Sequence, residues 1–223
     1  IATLTCFYQI PTMGAANTGK GKRDLLGGLR YVWQNQIVLG SLSLDLLIVL
    51  SGSVVALLPV YAADILNVGP EGLGFLRAMP AAGAVLMGIY LSRFKTEFEN
   101  TGTTLFVSLS VFALSIIIFA LSETLWLAAC ALFVYGASDM ISVVIRGAVV
   151  QLNTPDALRG RVSAANSIFI ASSNQLGDFR AGAVAAAMGP VGATLLGGAC
   201  AMAVAASGAY WFKDLRRLKK IEN

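Results

Sequence analysis

Long apolar segments constrain this chain more than any other feature of its sequence. A helix needs about 20 apolar residues to cross the hydrocarbon core of a bilayer. Six segments of roughly that length occupy residues 37–61, 73–91, 103–121, 125–145, 164–188 and 191–212. The sequence therefore predicts an all-α membrane protein with six transmembrane helices.

The composition agrees with this fold class and excludes several functions. Of the 223 residues, 57% are hydrophobic and 13% are charged, whereas soluble domains carry about 25% charged residues. The net charge of +4 comes from basic residues at the ends of apolar segments, so membrane topology explains it better than nucleic-acid binding. Histidine is absent and the three cysteines are far apart, which gives no pattern for a metal or a disulfide. No cofactor is predicted, and the absence of hydrolase motifs predicts that the chain is not an enzyme.

Lysine and arginine are distributed unevenly among the loops and predict an orientation. They precede the first segment, lie between the second and third and between the fourth and fifth, and follow the sixth, while the other loops have none. By the positive-inside rule, the basic loops and both termini are predicted to be cytoplasmic.

The two ends of the chain differ from the six segments. Residues 1–36 are predicted to hold the end of a preceding segment, a cytoplasmic linker and an amphipathic helix at 24–36. This helix either lies on the membrane surface or extends the first span, and both alternatives stay open. Residues 37–212 form the membrane domain, and residues 213–223 form a basic cytoplasmic tail. Because the chain opens on Ile1 without a signal-peptide pattern, a truncated amino end is expected.

Three charged residues are predicted to form a network in the cytoplasmic half of the membrane. They are Asp45 in the first segment, Asp139 in the fourth and Arg146 near the inner boundary. Asp139 and Arg146 are seven residues apart, so they project from the same face of a helix. Such residues turn toward a bundle interior or a wet cavity rather than toward lipid. Either Arg146 compensates the carboxylates and closes a gate, or a carboxylate takes up and releases a proton; the sequence leaves both open.

A second set of polar side chains is predicted to line a central cavity. The candidates are Arg77 in the second segment and, in the fifth, Asn166, Asn174, Gln175, Asp178 and Arg180. Asn174 and Asp178 are four residues apart and share a helix face. The alternative is that these side chains only form hydrogen bonds between helices.

Other residues predict local features of the helices. Pro59 and Pro80 predict kinks, and Gly197, Ala201 and Ala205 at four-residue steps predict close packing within the bundle rather than a dimer seam. Aromatic residues near segment ends are predicted to anchor at the membrane interface; they are Tyr61, Trp126, Tyr210 and Trp211.

The most distinctive stretch is 136–166, GASDMISVVIRGAVVQLNTPDALRGRVSAAN. Thr154 suits a helix cap and Pro155 the first helical position, so a short surface helix is predicted, ending at Gly160. With the residues just after it, this stretch resembles the carboxyl-terminal half of a major facilitator superfamily transporter, most similar to the group around the enterobactin exporter. The likeness extends from about residue 25 to residue 218.

This resemblance implies a fold and a function. The fold is one half of a twelve-helix carrier, built from two three-helix inverted repeats, whose amino-terminal half is missing here. The function is efflux of a small organic molecule such as a siderophore or drug, by a proton-coupled antiporter in a bacterial inner membrane. Arg159 and Arg161 would latch the two halves together, although residues 92–101 lack the glycine-and-basic signature of many members. The alternative is a half-size protein that acts as a homodimer or scaffold without transport.

Overall fold

The computed structural model describes residues 25–93 and 100–211, and all the regular elements in these two ranges are helices. The predicted linker, the basic tail and most of the loop between the second and third segments lie outside the described residues. The helices are α1 (Leu25–Gln34), α2 (Gln36–Gly52), α3 (Pro70–Arg93), α4 (Thr101–Ala120), α5 (Leu125–Leu152) and α6 (Asp156–Trp211).

Five helical stretches among the described residues are long and apolar enough to cross a membrane. They are Ile37–Ile65, Pro70–Arg93, Thr101–Ala120, Leu125–Leu152 and Leu158–Tyr210. The predicted all-helical fold is therefore confirmed. The fifth and sixth predicted segments share the last stretch, which at 53 residues would be about 80 Å long as one straight helix.

α6 changes direction at Gly189. This residue has φ 80° and ψ 164°, a conformation that glycine adopts far more readily than other residues. The two arms of α6, before and after Gly189, both pack against the carboxyl-terminal end of α2. A Cβ on Gly177 would lie 3.0 Å from the carbonyl oxygen of Val49, and one on Gly197 would lie 2.6 Å from that of Ser51. The chain thus folds back at the predicted boundary between the fifth and sixth segments.

The first predicted segment, 37–61, is not one continuous helix. α2 ends at Gly52, and Ser53 has an extended backbone with φ −67° and ψ 114°. A 3-10 turn (Val55–Leu57), a short helix (Leu58–Val60) and a π turn (Tyr61–Ile65) follow. The kink predicted at Pro59 is therefore wrong in position: Pro59 lies in the first turn of the short helix, where a missing N–H costs nothing.

α3 and α5 approach each other until their backbones touch. A Cβ on Gly83 would overlap the backbone of Phe133, and a Cβ on Gly136 would overlap the carbonyl of Pro80. α3 continues through Pro80 without interruption.

The small residues of the sixth segment pack inside the bundle, as predicted. Ala201 and Ala205 are both buried.

The core lies mainly between α2, α4, α5 and α6 and includes a tyrosine predicted to be at the membrane interface. Tyr61 is fully buried, its ring centroid lies 4.6 Å from that of Phe119, and its hydroxyl donates to the carbonyl oxygen of Pro190 at 3.4 Å. The anchor prediction is wrong for Tyr61. Trp126 and Tyr210 are exposed, as interface anchors would be; the side chain of Trp211 lies outside the described residues.

α1 is a separate helix that packs against the turn between α5 and α6. Asn35 interrupts the chain after α1, and its Oδ1 accepts hydrogen bonds from the backbone N–H groups of Ile37 and Val38, which caps α2. Tyr31 donates its hydroxyl hydrogen to the carbonyl oxygen of Asn153. These contacts favour a separate helix over a continuous extension of the first span. The packed side chains are Val32, Val38, Leu42, Val150 and Val162.

The turn between α5 and α6 differs from the prediction. Thr154 does not cap α6, because its hydroxyl donates back to the carbonyl oxygen of Val150 at 2.6 Å. No helix ends at Gly160, since α6 continues from Asp156 to its break at Gly189. Glycine ends a helix where it takes a positive φ, and Gly160 does not take one.

Candidate functional site

The three residues predicted to form a charge network are brought together by α2 and α5. Arg146 donates from Nη1 to the Oδ1 of Asp45, and its Nη2 lies 4.0 Å from the Oδ1 of Asp139. The side chains of Arg146 and Asp45 are only 9% and 12% exposed, whereas that of Asp139 is 43% exposed. The arginine therefore compensates Asp45 closely and Asp139 weakly.

The geometry of α5 fixes this arrangement. Asp139 and Arg146 lie two turns apart on one face, and the Nε of Arg146 donates to the carbonyl oxygen of Ser142 at 3.2 Å. That bond directs the guanidinium back along the helix. It orients the group toward Asp45 on α2.

All three charged side chains line one cavity, here called the ion-pair cavity, between α2, α5 and the first arm of α6. Its volume is about 210 Å³. Two of the predicted cavity residues, Asn166 and Asn174, line it as well. Its remaining lining residues are Ser41, Leu42, Val49, Val143, Gly147, Val150 and Ile170.

Ser41 is a lining residue that the sequence did not single out. It is fully buried, and its hydroxyl has no hydrogen-bond partner among the described residues. A buried hydroxyl without a partner costs roughly 1–3 kcal/mol, so it marks a place where a ligand group gains a bond. The available signal was its spacing, since Ser41 precedes Asp45 by one helical turn.

A second cavity, here called the turn cavity, lies where α5 leads into α6. It has a volume of about 320 Å³ and shares Asn166 with the ion-pair cavity. Arg159 lines it, pairs with Asp156 at 2.9 Å and donates from Nε to the carbonyl oxygen of Gln151 at 3.3 Å. The predicted gate residue Arg159 is thus engaged in local contacts, and Arg161 is half-buried near it in α6.

Asp178 and Arg180 form hydrogen bonds with residues at the break after α2. They line neither of the two cavities. Arg180 donates from Nε to the carbonyl oxygen of Leu50 at 2.8 Å and from Nη2 to that of Ser51 at 2.6 Å. Ser53 donates its hydroxyl hydrogen to Asp178. A helix that ends within a membrane leaves carbonyls unpaired, and the Arg180 guanidinium satisfies two of them.

The two remaining predicted cavity residues are exposed. Arg77 on α3 and Gln175 on α6 line neither the ion-pair cavity nor the turn cavity. Asn174, beside Gln175, is exposed as well as lining the ion-pair cavity. Each of these residues belongs to a helical stretch that is long and apolar enough to cross a membrane.

Comparison with known proteins gives one match. A family model described as "transmembrane secretion effector", of the major facilitator type, matches residues 19–222. No curated protein and no solved structure matches the chain.

Proposed function

The chain belongs to the transmembrane secretion effector family of the major facilitator superfamily, and we propose that it exports a small organic molecule in exchange for protons. The observation that carries this proposal is the ion-pair cavity. An apolar bundle that buries Asp45 and Arg146 beside the half-exposed Asp139 has a polar pathway of the kind transporters use. Alternating access would expose this pathway to the two sides in turn.

Six membrane crossings are part of the proposal. The break at Gly189 and the return of the second arm along α2 support two crossings within α6. With α2 and its irregular continuation, α3, α4 and α5, they would make the six helices of one major facilitator half.

Exposed polar side chains on apolar helices support a second six-helix half. Arg77, Asn174 and Gln175 are exposed in this bundle, and lipid contact at that depth would be unfavourable. Facing another half across a watery cavity would remove that cost. In this arrangement the chain is the carboxyl-terminal half, and the ion-pair cavity opens toward the interface. A protein of this group would reside in a bacterial inner membrane.

Asp139 is the proposed proton-coupling residue, because Asp45 already has a close arginine partner. The basic loops support a cytoplasmic location for the end of the bundle that carries α1 and the turn cavity. Arg159 and Arg161 at this end are proposed to contribute to the latch between the two halves.

Transport by the purified full-length protein in lipid vesicles tests the proposal. An imposed proton gradient should drive uptake of at least one compound from a panel of siderophores and lipophilic cations. Asp139→Asn should abolish this flux and leave membrane insertion intact, while Asp64→Asn, an exposed position outside both cavities, should not. Full proton-driven flux by Asp139→Asn would refute the coupling role. No flux of any compound by the wild-type protein would favour a half-size scaffold.

A further inference from the structure

Resting on the proposed transport function, we propose that the ion-pair cavity binds the ammonium group of a small amphipathic organic cation. The inference names the chemical class of the substrate. It depends on the charge, the hydrogen-bonding groups and the apolar surface of the cavity.

The ion-pair cavity carries a net negative charge. Its charged lining residues are Asp45, Asp139 and Arg146, so two negative charges meet one positive charge and one negative charge is left over. Arg146 contacts Asp45 directly but lies 4.0 Å from Asp139. The excess charge is therefore concentrated at Asp139, whose side chain is 43% exposed and open to a ligand.

The cavity also presents several hydrogen-bond acceptors. An ammonium group carries three donors and no acceptor. The Asp139 carboxylate, the unpartnered Ser41 hydroxyl and the side-chain carbonyls of Asn166 and Asn174 supply acceptors in the same cavity. A carboxylate ligand would instead meet the excess negative charge, and repulsion would weaken its binding.

The remaining lining residues indicate the body of the ligand. They are aliphatic, and with a volume of about 210 Å³ the cavity accommodates a compact apolar group rather than a large macrocycle. Burial of such a group would supply affinity without specificity. The aliphatic residues are Leu42, Val49, Val143, Val150 and Ile170.

Three probes that share one apolar body test the inference. 3-Phenylpropylamine, 3-phenylpropanol and 4-phenylbutyrate carry the same phenylpropyl body and differ only in their head groups, which are cationic, neutral and anionic. Binding of each to the purified full-length protein in detergent would be measured by calorimetry. We expect the amine to bind about tenfold tighter than the alcohol, as a charge-assisted hydrogen bond requires, and the carboxylate to bind weakest.

Substitutions in the cavity test which residues cause the preference for the amine over the alcohol. Asp139→Asn should bring the amine and the alcohol to nearly equal affinity, whereas Asp139→Glu should retain most of the difference. Ser41→Ala should weaken amine binding a fewfold. Asp64→Asn removes a carboxylate outside both cavities and should leave the ratio unchanged. If Asp139→Asn does not fold, the ratios for the wild-type protein and Asp139→Glu decide the question.

Two kinds of failure are distinguishable. Equal or tighter binding of the alcohol or the carboxylate, no measurable binding of the amine, or the same loss of preference in Asp64→Asn would overturn the inference. Proton-driven flux of neutral or anionic compounds would leave the transport function standing in that case. A clear amine preference without flux of any compound would overturn the transport function and retain the binding site.

Discussion

Two regions of the bundle contain the same residue types and use them differently. The ion-pair cavity combines two aspartates, an arginine and a serine from α2 and α5. The break combines an aspartate and an arginine from α6 with Ser53, the residue that follows α2. In the cavity, Arg146 pairs with Asp45, and the Ser41 hydroxyl has no hydrogen-bond partner in the part of the chain that the structure describes. At the break, Arg180 bonds to two backbone carbonyls and Ser53 donates to Asp178.

The difference distinguishes the proposed binding site from a set of contacts that stabilise a helix end. At the break, the polar groups satisfy a helix end that would otherwise be unpaired in an apolar environment. In the cavity, the Asp139 carboxylate is only loosely paired and the Ser41 hydroxyl has no hydrogen-bond partner among the described residues. These incompletely satisfied groups, more than the presence of charge, are the reason for proposing that a ligand binds there.

The largest expected effect comes from removing the buried cation of the cavity. Arg146→Gln leaves Asp45 buried without its partner and should lower the free energy of unfolding by about 3–5 kcal/mol. Denaturant titration in detergent would measure the loss. The double variant Asp45→Asn with Arg146→Gln should recover most of it. A single variant as stable as the wild type would mean that the pair does not compensate Asp45.

A smaller loss is expected at the break. Arg180→Gln leaves the carbonyls of Leu50 and Ser51 less well paired and should cost about 1–3 kcal/mol, with flux per folded molecule unchanged. Arg77→Gln, at an exposed position on α3, is the matched control and should change stability by less than about 0.5 kcal/mol. If Arg180→Gln abolished flux while the fold was retained, the break would have to be counted with the transport site.

Asp139 should matter little to stability, in contrast to Arg146. Its charge is only loosely paired and partly exposed, so Asp139→Asn should shift the free energy of unfolding by about 1 kcal/mol or less. Denaturant titration in detergent would measure this change in the free energy of unfolding, and the flux assay would be run on the same variant. A loss as large as that of Arg146→Gln would show that the carboxylate is needed for folding, which would weaken its assignment as a ligand group.

The smallest effect on stability is expected at the turn cavity. Arg159 pairs with Asp156 on the surface, its side chain being 53% exposed, so Arg159→Gln should cost about 0.2–0.5 kcal/mol. If Arg159 belongs to a latch, the variant should still shift the protein toward inward-facing states. Labelling of Ser163→Cys in a background without the three native cysteines, Cys6, Cys130 and Cys200, would report the shift, and unchanged labelling would argue against the latch.

The sequence predicted the helices better than their interruptions. Apolar length located the five described stretches that are long enough to cross a membrane, and the Gly189-Pro190 pair indicated the change of direction within α6. The break at Ser53 could not be foreseen, because the carbonyl oxygens of Leu50 and Ser51 at the end of α2 are satisfied by Arg180, which lies 127 positions after Ser53 in the chain. At Gly160 the sequence predicts a helix end that the structure does not have. The residues on both sides of Gly160 are helical, and α6 continues through it.

The site was predicted in part for a similar reason. Helical spacing placed Asp139 and Arg146 on one face, and membrane depth suggested that Asp45 would join them. Spacing within one segment does not reveal which helix packs alongside, so it does not predict that Asp178 and Arg180 contact the end of α2. The importance of Ser41 depends on the absence of a partner, which only the packed structure reveals.

The seam between α3 and α5 limits which parts of the bundle can move. Where Gly83 and Gly136 bring two backbones into contact, sliding one helix along the other would drive side chains into main-chain atoms. The two helices should therefore travel as a single rigid body during any transport cycle. Flexing would then concentrate elsewhere, at joints such as Ser53 and Gly189.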